Sequence, residues 1–334
     1  MNYFSNPEMS VVLVTPDDYQ TIRKTINHLR AQTVREKLEI VIVAPSEKTL
    51  NLNESELRYF SRFRVVEVGE INSHARARAI GIRHASAPIV ALTEDHSYPD
   101  RSWAEALIRA HDKPWAAVGP VMRNANPQCA ISCANLLIEY GPWLDPAPEG
   151  KASHLPGHNS SYKREILLGY GPELESMLES ESIMHWDLRS RGFEIYLEPA
   201  AKTNHMNISL LSSWTVVQFL NGRVFASARS KNWSLIRRVA YAGGFPLIPL
   251  IRLYRIISDI SKQDGLYNFG FLKKLRILLA LVLGLGIDGV GQFVGYSLGA
   301  GDSEERLSKY EFHRYLHLSK SDKKMLICGR NELK

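Results

Sequence analysis

Residues 87–100 read APIVALTEDHSYPD. A short apolar run, Pro88 to Leu92, closes on Glu94, Asp95 and His96, with a proline soon after. Two acids and an imidazole are costly to bury unless they are paired or bound to a metal, so a buried strand ending in all three marks a place where chemistry is concentrated. The flanking sequence decides the fold. MSVVLVT (9–15), LEIVIVA (38–44) and FRVVEVG (63–69) are β-branched runs that fit buried strands, as does PIVALT (88–93). Between them, DDYQTIRKTINHLRAQ (17–32) sets Ile22, Ile26 and Leu29 at helical spacing. SHARARAIGIRHAS (73–86) and DRSWAEALIRAHD (100–112) read as further helices. This alternation predicts an α/β fold with a mostly parallel sheet, whose ligands sit beyond the carboxyl ends of the strands. Glu94, Asp95 and His96 lie at such an end.

Of 334 residues, 45% are apolar and 23% charged, enough to build a sizeable core. A net charge of +6 suggests an anionic partner: nucleic acid, a phosphorylated substrate or a membrane surface. The three cysteines, Cys129, Cys133 and Cys328, form no CxxC or Cys/His zinc pattern, which points to a reduced chain. The opening MNYFSNPEMS has no basic and apolar leader pattern, so a cytoplasmic location is expected.

Composition changes near residue 235. RRVAYAGGFPLIPLIRLYRI (237–256) and FLKKLRILLALVLGLGIDGVGQFVGYSLGAG (271–301) are apolar, with Arg and Lys at their borders. Asp288 interrupts the longer one, and an acid in mid-span is expensive in a bilayer. The expectation is therefore a domain over 1–235 and a helical region over 236–334 whose apolar faces lie in an anionic membrane interface. A buried helical subdomain is the alternative.

In an extended segment, residues i and i+2 point the same way, so Glu94 and His96 can share one ion while Asp95 faces elsewhere. A carboxylate and an imidazole with open positions suit Mn²⁺ or a similar divalent ion, which would neutralise a leaving diphosphate. The alternative is a helix cap with a few surface charges before the helix that follows Asp100.

Several segments together resemble family 2 glycosyltransferases with the GT-A fold, from about Ser10 to Arg223. The family opens on a strand, a Thr-rich loop and a helix ending in AQT, matched by SVVLVTPDDYQTIRKTINHLRAQT (10–33). Its ARN-x-G helix is matched by Ala77, Arg78, Ala79, Ile80 and Gly81, and its DXD motif by TEDHSYPDRSWAEAL (93–107). Its acceptor-side GGN loop resembles LPGHNSSYKRE (155–165), with Gly157 and Asn159 kept and His158 between them as a candidate sugar or acceptor contact. The resemblance implies metal ligation by Glu94 and His96, with His205 of PAAKTNHMN (199–207) near the ion. It implies Mn²⁺ or Mg²⁺ as cofactor and donor contacts from Thr15, Asp17, Arg78, Asp95, Gly157, Asn159 and Arg223, the last of these gripping the diphosphate.

In ESESIMHWDLRSRGFEIYLEP (179–199), spacing from Gly192 puts Glu181 where the family carries its acidic base, with Glu179 and Asp187 as competitors. An inverting transfer needs one carboxylate to take the acceptor proton. Otherwise these acids are helix N-terminal charges. The sequence departs from the family at the second strand, which ends in Ala44-Pro45-Ser46 where an aspartate is usual; Asp17, Asp18 or Glu47 are the substitutes, and UDP-, GDP- and dTDP-sugars stay open.

The resemblance thus implies an inverting, metal-dependent transfer of a sugar from a nucleotide-diphosphate donor to a glycan or lipid-linked acceptor, with no nucleic-acid partner. A nucleotidyltransferase shares the sheet-plus-acid plan but needs a Gly- and Lys-rich triphosphate loop that does not occur here. A dinucleotide dehydrogenase needs GxGxxG after its first strand, also missing. A non-catalytic GT-A-like module at the membrane is the non-enzymatic alternative.

Overall fold

A computed structural model describes residues 6–262 and 269–328. Its strands are β1 (Met9–Val14), β2 (Leu38–Ala44), β3 (Arg62–Glu67), β4 (Ile89–Thr93), β5 (Ser97–Pro99), β6 (Ala117–Asn124), β7 (Gly150–Lys151), β8 (Ser161–Lys163) and β9 (Ile195–His205). They form one sheet in the order β3-β2-β1-β4-β8-β6-β9-β5, with β7 on β9. The β3, β2, β1 and β4 strands are parallel, and β8 runs antiparallel to both β4 and β6. The sheet is therefore mixed, and the four strands read from sequence are its parallel half. Every residue of β1, β2 and β4 is buried, as expected of parallel strands covered on both faces.

The helices include α1 (Tyr19–Arg30), α2 (His74–His84), α3 (Trp103–Ala110), α4 (Ala130–Tyr140), α5 (Glu181–Ser190), α6 (Leu211–Ser230), α7 (Leu235–Gly243), α8 (Leu247–Lys262) and α9 (Phe271–Leu298). Asp18 caps α1 by accepting from the Gln20 amide, and Ile22, Ile26 and Leu29 fill its buried face. Ser73 caps α2 in the same manner through the Arg76 amide. Helix α2 lies so close to the sheet that a Cβ at Gly81 would come within 2.6 Å of Val12 Cγ1 and 2.9 Å of Val43 Cγ2. One helical turn earlier, Arg78 shares that inward side and is buried.

The chain divides into two compact units, residues 1–123 with 143–204, and residues 124–142 with 205–334. The sequence expectation set one boundary near 235. In the structure α4 and α6 belong with the C-terminal helices, because glycines let α6 and α9 touch backbone to backbone. A Cβ at Gly222 would lie 2.2 Å from the Asp288 carbonyl oxygen, and one at Gly291 equally near that of Phe219. Asn135 of α4 accepts from both Trp214 Nε1 and Gln218 Nε2 of α6.

Asp288 does not break the long apolar stretch. Helix α9 runs through it for 28 residues, and among the described residues it is the one helix long and apolar enough to cross a membrane, with 44% of its most apolar window buried. Asp288 is buried and accepts from Arg252 of α8 and from Gln292 one turn on. Its cost is offset inside the helical unit, which removes the expected penalty at mid-helix.

Candidate active site

The three residues after β4 turn sharply, with the Ser97 amide donating to the Glu94 carbonyl. Helix α1 pins this turn: Thr25 Oγ1 lies 3.0–3.1 Å from the carbonyl oxygens of Glu94, Asp95 and Ser97. Glu94 and His96 come together, with Nε2 of the ring 3.7 Å from Glu94 Oε2 and both side chains buried. Asp95 faces the other side of the His96 ring from Glu94. Its Oδ1 lies 2.6 Å from His96 Nδ1 and turns Nε2 toward Glu94. A carboxylate that fixes one ring nitrogen and aims the other is the arrangement by which imidazole ligands are oriented.

The two oxygens of Glu94 have different neighbours. Oε2, on the His96 side, accepts from Asn159 Nδ2 at 2.9 Å and from Ser97 Oγ at 3.2 Å. Oε1 faces His158 Nδ1 at 3.1 Å and the Arg78 guanidinium at 3.6 Å. These same two cationic side chains reach Glu181 at the start of α5. His158 Nε2 is 3.0 Å and Arg78 NH1 3.2 Å from Glu181 Oε1. Gly157 makes room for this approach, since a Cβ there would lie 2.3 Å from that of Glu181.

Burial pushes the Glu181 carboxyl upward in pKa, but His158 and Arg78 outweigh it and hold it below the usual carboxylate range. Burial and Arg78 depress His158, yet the charge and hydrogen bonds of Glu181 and Glu94 raise it to about 10. Behind the cluster, burial drives His185 down to about 4, and its neutral ring bonds Tyr162 Oη and the Leu155 amide.

Of the residues expected from sequence, the structure thus gathers Glu94, Asp95, His96, Arg78, Gly157, Asn159 and Glu181. The competing acids lie elsewhere: Glu179 is exposed, and Asp187 accepts from the Tyr170 hydroxyl. Thr15 and Asp17 follow β1, whose register sets Leu13 beside Thr93, so their loop leaves the same sheet edge as Glu94. Thr15 Oγ1 there accepts from the Asp17 amide. His205 is buried at the end of β9, its Nδ1 3.0 Å from Asn207 Oδ1 and its ring against Tyr140. Arg223 sits in α6 of the helical unit, where its Nε donates to the Gly299 carbonyl beyond α9.

At the divergent second strand, Asp18 serves as a helix cap. Ala44 pairs with Glu67 of β3, whose carboxylate accepts from the Glu47 amide. Sequence reading gave no signal for Thr25 or Ser97, which act through the turn geometry. His158 was visible as a candidate, but its bridging position was not, because Glu181 lies 23 residues further along the chain.

Residues 10–169 match the model of glycosyl transferase family 2. No curated protein matches the chain. Among solved structures, one of GalNAc-T7 with UDP, GalNAc and Mn²⁺ is similar at 14% identity and a TM-score of 0.47; the match covers 59% of this chain and 43% of that one. A mannosyltransferase, PcManGT from Pyrobaculum calidifontis, in complex with GDP-Man and Mn²⁺, is similar at 17% identity and a TM-score of 0.44, over 91% of this chain and 79% of that one. The chain therefore spans less than half the length of the first.

Proposed function

Residues 10–169 form a glycosyl transferase family 2 domain, and from that premise we propose that this glycosyltransferase moves a sugar, with inversion, from a nucleotide diphosphate to an acceptor hydroxyl. The observation that carries the reading is the joining of a Glu94–His96 pair to an ionised Glu181 through shared contacts with His158 and Arg78.

The donor set fits Mn²⁺ or Mg²⁺: a carboxylate oxygen beside an imidazole nitrogen whose other nitrogen is already held. Glu94 and His96 would hold the ion. Such an ion supplies positive charge to the leaving diphosphate. Asn159 and Ser97 fix the Glu94 carboxylate for that duty. Glu181 takes the acceptor proton as the acceptor oxygen bonds to the anomeric carbon and the bond from that carbon to the diphosphate oxygen breaks. Its ionised state suits it to this role, whereas Glu179 and Asp187 lie outside the cluster. Thr15, Asp17 and Gly157 remain donor contacts on the resemblance, and the nucleotide is UDP, GDP or dTDP.

The helical unit supports a location at an anionic bilayer surface. Leu235, Ile236, Leu247, Tyr254, Phe271 and Leu272 are each at least 60% exposed, an apolar display unusual for a monomer in water. Lys273, Lys274 and Arg276 stand at the start of α9, where cations meet lipid headgroups. This suits a glycan or lipid-linked acceptor held at the membrane. Incubation of the full chain with a panel of nucleotide sugars, Mn²⁺ and lipid extracts, followed by product analysis, tests the reading. Formation of a glycosylated product and free nucleoside diphosphate supports it; release of pyrophosphate would mark a nucleotidyltransferase.

A further inference from the structure

Arg78 has a place in the site that a donor contact does not explain. Its side chain is 2% exposed, so a nucleotide has almost no surface of it to touch. It lies between two carboxylates from distant parts of the chain, 3.2 Å from Glu181 Oε1 and 3.6 Å from Glu94 Oε1. The NH2 group nearest Glu94 is buried with no hydrogen bond of its own, so it meets that acid as a charge. The backbone that carries it has little freedom, because Gly81 one turn on is pressed against Val12 and Val43.

We infer that Arg78 is a positioning residue, an internal cation that turns Oε1 of both acids inward. Glu94 is thereby left to offer Oε2 on the His96 side, and Glu181 is held ionised. The same fixed charge opposes a divalent ion arriving at Glu94, since two cations near one carboxylate repel across a poorly screened interior. Arg78 thus weakens ion binding while it orders the acids. This rests on the metal and base roles proposed above for Glu94, His96 and Glu181.

The test uses the full chain with Arg78→Met, Arg78→Gln and Arg78→Lys, in the wild-type and Glu181→Gln backgrounds. The second background removes the uncompensated acid if Arg78→Met alone folds poorly. Mn²⁺ alone is titrated and the free ion counted by electron paramagnetic resonance. Both neutral variants are expected to bind Mn²⁺ at least fivefold more tightly, with Arg78→Lys close to wild type. With a donor found by the product screen, kcat should fall at least 100-fold in Arg78→Met while the donor KM stays within threefold, and Arg78→Lys should recover part of kcat.

Unchanged or weaker Mn²⁺ binding in folded neutral variants overturns the inference, as does a large rise in donor KM with kcat kept. If the wild-type chain binds no Mn²⁺, the metal reading fails by itself. The unfolding equilibria of Arg78→Met, Glu181→Gln and the double variant then decide on Arg78. A coupling of at least tenfold supports the positioning role, and independent effects overturn it.

Discussion

The two units of this chain treat charge and apolar surface in opposite ways. The α/β unit buries charged groups: Glu39, Arg78, Glu94 and Glu181 are all under 10% exposed, and each meets an opposite charge. Among its described residues, Trp186 is the one large hydrophobic side chain on display. The helical unit encloses Asp288 with Arg252 but turns leucines, isoleucines and phenylalanines outward along α7, α8 and α9. Burying ions is expensive and is repaid only by good pairing, so the first pattern marks a built site. Leaving apolar side chains in water is also unfavourable, at about 25 cal/mol per Å². The second pattern is the one on which the proposed membrane location rests.

The sharpest way to separate them is Glu181→Gln. If that carboxylate takes the acceptor proton, kcat should fall at least about 1000-fold while donor affinity changes little; the melting temperature should drop as well, because Arg78 and His158 lose a buried partner. Steady-state kinetics beside calorimetry of donor binding would show it, and comparable activity in the variant would move the base role to another acid.

Gly157→Ala strikes the same unit through packing. The added methyl group would sit 2.3 Å from Glu181 Cβ, so α5 or the 155–160 turn must shift. A stability loss of about 1–3 kcal/mol is expected from such overpacking. The accompanying displacement of Glu181 should lower kcat on the order of 100-fold. Chemical denaturation and kinetics on one preparation check both effects. Normal activity in Gly157→Ala would show that the close approach is not needed.

In the helical unit, Leu279→Asn with Val282→Asn alters side chains that are 62% and 51% exposed. Flotation with liposomes of rising anionic content should drop roughly tenfold, since each lost apolar contact with lipid costs about 1–3 kcal/mol and only part of each side chain inserts. Transfer to a water-soluble acceptor should stay within about twofold. Equal flotation of variant and parent would dissolve the contrast between the units.

A further effect concerns pH. Burial lowers both His111 and His185 to about 4, below the ordinary histidine value, so the fold holds both rings neutral. Below about pH 6.5 the unfolded chain takes up protons that the folded chain refuses, which favours unfolding. Stability is thus full above that pH and is lost as pH falls toward 4, by up to about 3 kcal/mol per ring. Melting curves between pH 7.5 and 4.5 should show the decline, and His185→Gln should make it shallower.

Much of this architecture could be read from the chain. Strands β1, β2, β3 and β4 and helices α1 and α2 lie within two residues of their sequence-based bounds, because buried parallel strands and capped amphipathic helices leave clear local patterns. The antiparallel half of the sheet was not legible. Strand β8 is three residues long, and its pairing with β4 and β6 is set by partners far away in sequence. Asp288 misled for a related reason, since its counter-ion Arg252 lies on another helix. In the site, Glu94 and His96 were readable from alternation at a strand end. Asp95 as the holder of His96, and His158 and Arg78 as bridges to Glu181, depend on side-chain geometry that no spacing encodes.

On the proposed reading, the end of β4 holds a divalent ion for a nucleotide diphosphate. Calorimetric titration of UDP and GDP into the full chain, with and without Mn²⁺, tests it most directly when wild type is run beside His96→Ala. One nucleotide should bind the wild type at least tenfold more tightly with Mn²⁺, and His96→Ala should lose that gain while keeping its fold. Nucleotide binding that depends on Mn²⁺ equally in both proteins, or on Mn²⁺ in neither, would contradict the account.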